Sequence, residues 1–449
     1  MNTPVTGGPA DAAARFLRPG TLNLSELPPL SLYVHLPWCL KKCPYCDFNS
    51  HASPPAGSAA GFASGSGASA AGPGSLPETR YLDALRADLE AALPLVWGRR
   101  VVSVFIGGGT PSLFSPDSIE RLLADVRARL PLEPGCEITL EANPGTFESQ
   151  RFRAFRQAGV TRLSIGVQSF DDQALHRIGR VHDAAQARAA VAEAREAFDT
   201  FNIDLMYALP GQTLQALQTD LDTALALAPP HLSVYHLTME PGTVFATRPP
   251  AGLPDDDTAA RMLDLIVDTT AAAGLQRYEV SAFARPGHRC RHNLNYWQFG
   301  DYLGIGAGAH GKLSFPHRVL RQVRWREPAT YMDKALAGQA VSNEHEVARK
   351  DLPFEYALNA LRLREGFTVE EFCARTGLAP SALASAVAQA RQRGLLEPAM
   401  EDTLGLAGLL EPPGALRPQR VVPSARGFDF LSDLQALFLP DDPGPREGR

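Results

Sequence analysis

The sequence predicts an α/β protein built on parallel strands, followed by a small, mainly helical, winged-helix-like domain. Three observations lead there. Six short runs of strand character alternate with helical runs between residues 30 and 237. A cysteine-rich loop, Cys39-Leu40-Lys41-Lys42-Cys43-Pro44-Tyr45-Cys46, begins where the first of those runs ends. Near the C-terminal end, residues 355–396 read as a succession of helices closed by Gly394-Leu395-Leu396. Strands that alternate with helices pair in parallel through crossover connections, and such sheets carry their chemistry on the loops after the strands' C-terminal ends.

Composition sets the outer bounds. The 449 residues are 45% hydrophobic, enough for two or three domains with a large core. A net charge of −6 implies no general affinity for nucleic acid. Six cysteines are too few and too clustered for a disulfide scaffold, which fits a reducing compartment and a cytoplasmic protein. No run of about 18 apolar residues exists to cross a membrane, and Met1 to Arg18 lacks the continuous apolar stretch of a secretory signal.

In order, residues 1–28 are rich in Pro, Gly and Ala and read as a loose leader. Leu30-Ser31-Leu32-Tyr33-Val34-His35-Leu36 alternates like a strand. Residues 51–77 contain no Asp, Glu, Lys or Arg and almost only Ala, Gly, Ser and Pro, so they read as a disordered insertion in a loop. Tyr81, Leu82, Leu85, Leu89 and Ala92 have helical spacing. Strands follow at 101–106, 137–141, 162–167, 201–209 and 232–237, with helices at 116–130, 147–158, 171–178, 183–198 and 213–227. A closed eight-fold barrel would need two more units, so the pattern leaves an open six-strand barrel and a doubly wound sheet as alternatives. Residues 325–348 read as a polar connector, and Thr368-Val369-Glu370-Glu371 as a capping box opening a helix. Another helix at 381–393 precedes a Pro- and Gly-rich run at 398–424. A last helix around 427–438 leads into a loose tail from Pro440. Mixed charges in this end of the chain favour a packing or covering domain over nucleic-acid binding.

The chemistry concentrates at the strand ends. Zinc sites want four ligands, commonly in two pairs. Three thiolates on one short loop, Cys39, Cys43 and Cys46, suit a [4Fe–4S] cluster that keeps one iron free of protein. After the second strand, Gly108, Gly109 and Thr110 offer bare backbone for close approach of a charged group. By itself this run is also an ordinary tight turn. Glu141, Gln168 and Asp204 fall at or near the ends of three successive strands, and Arg180 follows after a helix. Singly they are solvated loop residues; recurring on the cysteine edge, they describe a pocket for a small zwitterionic nucleotide.

C-x3-C-x2-C after a first strand, an aromatic before the third cysteine, and Gly108-Gly109-Thr110-Pro111 after the second strand together resemble the radical S-adenosylmethionine (SAM) superfamily. Gly166-Val167-Gln168-Ser169-Phe170 and Asn202-Ile203-Asp204-Leu205-Met206-Tyr207 resemble the branch that holds oxygen-independent coproporphyrinogen III oxidase and its HemW-like haem-chaperone relatives. The resemblance runs from about Leu32 to about Leu396. It implies a six-unit partial barrel over 29–245, a barrel-completing and connector region over 246–348, a small helical domain over 349–424, and a C-terminal helix and tail over 425–449. It implies that Cys39, Cys43 and Cys46 ligate three irons while the fourth takes the amino and carboxylate groups of SAM. Tyr33, Tyr45, Gly108, Gly109, Thr110, Glu141, Gln168, Arg180 and Asp204 fall where the oxidase contacts SAM.

Phe48 departs from the oxidase pattern, which has a further cysteine there, and this tilts the resemblance toward the chaperone branch. His292-Asn293-Leu294-Asn295-Tyr296-Trp297 resembles that branch's His-Asn-x-x-Tyr-Trp run, linked to haem, and Tyr302 to Gly311 resembles it too. His292 reads either as an axial haem ligand or as part of a hydrogen-bonded structural cluster with its aromatic neighbours. Cys290, Cys136 and Cys373 read as ordinary buried thiols. The implied function is to bind haem as cargo and deliver it to acceptor apo-haemoproteins, with a haem-donor protein and transient membrane contact as further partners. No catalytic residue is assigned. The alternative is oxidative decarboxylation of coproporphyrinogen III.

Overall fold

Alternation along each strand divides the barrel into an apolar outer face and a polar inner one. In β1 (Leu30–Leu36), Leu30, Leu32, Val34 and Leu36 join the main core, while Ser31, Tyr33 and His35 share the opposite face. The pattern repeats in β2 (Val101–Gly108), β3 (Leu132–Ala142), β4 (Arg162–Gln168), β5 (Thr200–Tyr207) and β6 (His231–His236). Val104, Ile106, Leu140, Ile165, Ile203 and Leu232 lie in the outer core. Phe105, Glu141, Ser164, Asp204 and Ser233 alternate with them on the inner side. These six strands are parallel and adjacent in chain order.

The computed structural model describes residues 20–53, 76–145, 150–398 and 419–440. Most of the expected leader, the body of the 51–77 insertion, the start of the 147–158 helix, most of the 398–424 run and the tail lie outside the described residues.

The outer face is covered by α1 (Glu78–Val96), α2 (Pro116–Arg129), α3 (Phe152–Ala158), α4 (Asp172–Arg177), α5 (Ala184–Ala197) and α6 (Leu214–Ala226). After β6 come α7 (Val244–Thr247), α8 (Asp256–Ala272), and two short strands, β7 (Gln276–Arg277) and β8 (Ala282–Ala284), which extend the sheet antiparallel beyond β6.

On the other side the sheet continues further than the sequence suggests. Helix α9 (Arg291–Trp297) leads into β9 (Asp301–Ile305), which pairs parallel with β1 from Asp301 opposite Leu30. Antiparallel β10 (His310–Phe315), β11 (Arg318–Arg324) and β12 (Val341–Glu346) follow, making one sheet of twelve strands among the described residues. The run 302–311 is thus the end of one strand, a turn and the start of another. The 325–348 connector contains α10 (Pro328–Leu336) and the edge strand β12. Both were masked by composition: glycines interrupt β9, and β12 exposes polar residues as edge strands do.

A second core holds α11 (Leu352–Ala360), α12 (Val369–Thr376) and α13 (Ser381–Gln392) together with α15 (Leu431–Ala436), which follows the short α14 (Ala425–Asp429). Thr368 and Glu371 form the capping box at α12, and Phe367–Thr368 pairs with Arg420–Val421. Leu22 and Leu24 are buried in this same core, their backbone N–H groups bonded to the His317 and Pro316 carbonyls. Residues 20–28 are therefore not loose, because two leucines anchor them.

One buried ion pair ties helices to the flank of the sheet. Asp88 of α1 accepts from Arg324 Nη2 of β11 at 3.2 Å and from the Tyr331 hydroxyl of α10 at 2.9 Å. Removing one partner of such a pair strands a charge in the core, so Arg324→Ala is expected to lose about 3–5 kcal/mol in urea unfolding. A change under 1 kcal/mol would show that water reaches Asp88.

Candidate functional site

The cysteine loop is held at the C-terminal end of β1 by its two ends. Trp38–Cys39 pairs in parallel with His51–Ala52, and Trp38 packs into the core against Tyr81 at 4.8 Å. The loop rests on the turn after β2: Gly109 N donates to Leu36 O at 2.8 Å and Thr110 N to Trp38 O at 2.7 Å. A Cβ at Gly108, whose φ is 117°, would stand 2.6 Å from the His35 ring, and one at Gly109 would stand 2.5 Å from Trp38 O. Glycine is required at both positions for this approach.

Cys39, Cys43 and Cys46 are half-buried and unpaired. Thr110 Oγ1 donates to Cys39 Sγ at 3.5 Å and Arg180 Nη1 to Cys43 Sγ at 3.7 Å. Burial raises the Cys39 thiol, with the Thr110 hydroxyl opposing. Among the described residues no three His, Cys, Asp or Glu side chains gather around one ion. Cysteines that each ligate a different iron of a cluster need no such convergence. The three thiols on one loop, each supplied with a polar donor, fit a [4Fe–4S] cluster.

Around the loop the expected SAM-contacting residues fall into one connected set and a second, deeper one. Asn143 joins the first: its Nδ2 donates to Thr110 Oγ1 at 2.9 Å, and its Oδ1 accepts from Arg180 Nη2 at 2.8 Å. Arg180 also donates to Gly166 O at 2.7 Å. Gln168 ends β4 with φ 68°, a left-handed backbone uncommon for glutamine. Tyr45 packs beside Phe245 of α7 at 6.4 Å.

The deeper set lies on the inner face. Glu141 Oε2 accepts from Gly108 N at 2.9 Å. Asp204 accepts from Ser164 Oγ at 2.9 Å and Asn202 Nδ2 at 2.8 Å. Burial pushes Glu141 up to about 8, with the Gly108 N–H opposing and Asp204 adding to the rise. Burial raises Asp204 as well, against its hydrogen bonds. Tyr33 is bound to His35, its hydroxyl 2.9 Å from Nδ1. The polar interior, with two carboxyls near the cysteine end, is chemically suited to an amine or to ribose hydroxyls.

Sequence reasoning missed Asn143, His35, Asn49 and Ser50. Asn143 stands two residues beyond Glu141 at the same strand end, which is a signal of a kind. Ser50 Oγ lies 3.5 Å from Cys46 Sγ, and nothing in its local sequence marks it.

The His292 run is elsewhere. Helix α9 sits at the N-terminal end of the strands, where His292 Nδ1 lies 3.0 Å from Ser103 Oγ and Asn295 Nδ2 donates to Ser31 Oγ at 2.9 Å. Ser31 and Leu36 lie at opposite ends of β1, about 17 Å apart along an extended strand. His292 is 1% exposed, its ring stacked 4.9 Å from Phe105 and edge-on to Tyr296 at 4.8 Å. Burial alone pushes the imidazole down to about 3. The His292 ring is enclosed in this packing, and its Nε2 is buried without a hydrogen-bond partner. Of the two readings, the structural cluster is the one the packing supports. Asn293, Tyr296 and Trp297 are partly exposed, and burial raises the Tyr296 hydroxyl well above its ordinary range.

Comparison with known proteins adds the following. The model of the Radical SAM superfamily matches residues 33–224, and that of the HemN C-terminal domain matches 347–399. Heme chaperone HemW of Escherichia coli (strain K12) is 46% identical over 373 residues, covering 83% of this chain and 92% of that protein. Heme chaperone HemW of Haemophilus influenzae is 45% identical over 379 residues, covering 83% and 93%. That of Bacillus subtilis (strain 168) is 34% identical, covering 77% and 87%. Among solved structures, the coproporphyrinogen III oxidase HemN from Escherichia coli aligns with a TM-score of 0.72 at 23% identity, over 96% of this chain and 93% of that one. At that identity the likeness is one of fold.

The raised Glu141 carboxyl has a measurable consequence. An unfolded glutamate titrates near 4.5, so between there and about 8 the folded chain holds a proton that the unfolded chain has released. The fold therefore loses stability as pH rises through that window. Glu141→Gln keeps an acceptor for Gly108 and cannot ionise. In ligand-free protein the variant's Tm is expected to gain on the wild type from pH 5 to pH 8. Parallel Tm–pH curves would return Glu141 to the ordinary carboxylate range.

Proposed function

The chain belongs to the HemW family of radical SAM proteins, and from that premise we propose that it is a haem chaperone, binding haem and handing it to acceptor apo-haemoproteins. The observation that carries this reading is a match to haem chaperones that spans barrel and C-terminal domain together. Phe48, standing where the oxidase pattern has a further cysteine, supports it.

The barrel's resident groups are a [4Fe–4S] cluster and SAM. When bound, they supply a redox centre with one iron open to a ligand. In this proposal Cys39, Cys43 and Cys46 hold the cluster. Gly108 and Gly109 admit the methionyl head to bare backbone, with Thr110 and Arg180 as donors beside it. Glu141, Gln168 and Asp204 take the polar groups of the nucleoside side, and Tyr33 and Tyr45 supply flat packing surfaces. The chain's part is to orient these groups and keep water from them.

For the cargo, the reading turns on Trp297. It lines a cavity of about 570 Å³ with Tyr356, Phe367, Arg375 and Arg420, between α9 and the C-terminal domain. Aromatic walls suit a porphyrin face, and two guanidiniums suit its propionates. Asn293 and Tyr296 flank Trp297 on the same short helix. The protein would work in the cytoplasm, where cluster thiolates persist. No described helix is long and apolar enough to cross a membrane. A haem-donor protein would load the site.

The deciding experiment is anaerobic. Reconstituted protein is expected to take up haem stoichiometrically and transfer it to an apo-haemoprotein, and to form no vinyl product from coproporphyrinogen III with SAM and reductant. Robust vinyl formation would overturn the chaperone reading. Within it, His292→Ala is expected to cost roughly 2–5 kcal/mol of stability with the Soret spectrum and haem affinity unchanged, whereas Trp297→Ala weakens haem binding about tenfold. The opposite pattern would put haem on His292.

A further inference from the structure

Each cysteine of the loop has at least one polar side chain directed at its sulfur; Ser50 also bears on Cys39, and Tyr45 on Cys43. Thr110 reaches Cys39, and Arg180 reaches Cys43; both already have a place beside SAM. The third, Ser50, has had no role so far. Its Oγ lies 3.5 Å from Cys46 Sγ, and the residue is 5% exposed.

Ser50 is held between two anchored neighbours. On one side, Asn49 Nδ2 donates to Ala307 O at 2.9 Å and to Arg326 O at 2.8 Å, crossing to the far side of the site. Its amide packs where a Cβ on Gly308 would stand, 2.5 Å from Nδ2. The Asn49 carbonyl lies 3.0 Å from His35 Nε2. A carbonyl only accepts, so Nε2 carries the proton and Nδ1 accepts from the Tyr33 hydroxyl. Burial holds His35 near 4, so it stays neutral in this tautomer at neutral pH. On the other side, His51 N donates to Pro37 O at 2.7 Å, and Ser50 N itself donates to Phe48 O at 2.7 Å.

A cysteine bound to iron is a thiolate and has no proton to give. The Ser50 hydroxyl must then be the donor. Hydrogen bonds to cluster sulfurs offset the negative charge added on reduction and so raise the potential. We propose that Ser50 is a positioning residue that raises the reduction potential of the cluster through a hydrogen bond to Cys46 Sγ, and that the His35–Asn49 clamp keeps its hydroxyl on that sulfur. This rests on the reading of Cys46 as a cluster ligand.

The test compares reconstituted wild type with Ser50→Ala, Ser50→Thr and Asn49→Ala by iron and sulfide content and by potentiometric titration followed by EPR. Ser50→Ala is expected to assemble a full cluster whose midpoint potential is more negative, with about a tenfold smaller reduced-to-oxidised ratio at fixed potential. Ser50→Thr keeps the hydroxyl and should restore the wild-type value, and Asn49→Ala, which frees the serine, should shift it the same way as Ser50→Ala. Pulsed EPR in deuterated buffer should lose one exchangeable coupling in Ser50→Ala and keep it in Ser50→Thr. An unchanged potential in a fully loaded Ser50→Ala overturns the proposal. Should Ser50→Ala assemble poorly, an Asn49→Ala potential equal to wild type overturns it instead. A Cys46→Ala protein that keeps the wild-type cluster signal would fail the underlying reading rather than this one.

Discussion

The rest of the site depends on how closely the backbone of residues 108–110 lies against the end of β1. Two main-chain hydrogen bonds, Gly109 N to Leu36 O and Thr110 N to Trp38 O, join the turn after β2 to the base of the cysteine loop. They form only because neither glycine carries a Cβ; either methyl would meet His35 or Trp38 well inside contact distance. From that seam everything else takes its position. Thr110 is aimed at Cys39, Gly108 presents its N–H to Glu141, and His35 is turned toward Asn49. A side chain at 108 or 109 would therefore disturb the cluster loop, the raised carboxyl and the Ser50 clamp at once. These are different chemistries with one geometrical root.

The polar lining of the barrel follows from the same economy of alternation. Leucine, valine and isoleucine take the outer positions of the strands and bury against helices. The inner positions are left to residues that must satisfy one another, as Ser164, Asn202 and Asp204 do. Carboxyls enclosed without a cation are held toward their neutral forms by desolvation. A cationic or hydroxyl-rich ligand arriving at the cysteine end would relieve that cost, which gives the inner face a physical reason to bind such a molecule.

Much of this was legible in the sequence, and the reason it was is local. Strand alternation, helical spacing, glycine runs and the Thr368–Glu371 capping box are patterns within a few residues, and the six parallel strands follow from them. What escaped needs contacts across the chain. Ser50 matters because it meets Cys46 in a folded turn, Asn143 because it bridges Thr110 and Arg180 from a third strand end. Strands β9 to β12 escaped because glycine and polar edge residues carry little periodic signal. Residues 20–28 escaped because Leu22 and Leu24, two of three leucines in a short mixed stretch, are meaningful only against the second core.

His292 shows why a motif's composition does not locate its partners. Its aromatic neighbours read equally as a porphyrin's walls or as a plug. The register of β9 against β1 puts α9 at the N-terminal end of the strands, away from the cysteine loop. The imidazole there bonds Ser103 and lies under Phe105, closing the barrel floor. Trp297, at the other end of the same helix, faces the C-terminal domain and borders the cavity. One short helix thus serves both compartments: its first residues seal the chamber below the cluster, and its last residue opens toward the second domain. Haem bound at that cavity and a cluster bound at the loop would stand toward opposite ends of the barrel, with the packed rings of His292 and Tyr33 between them.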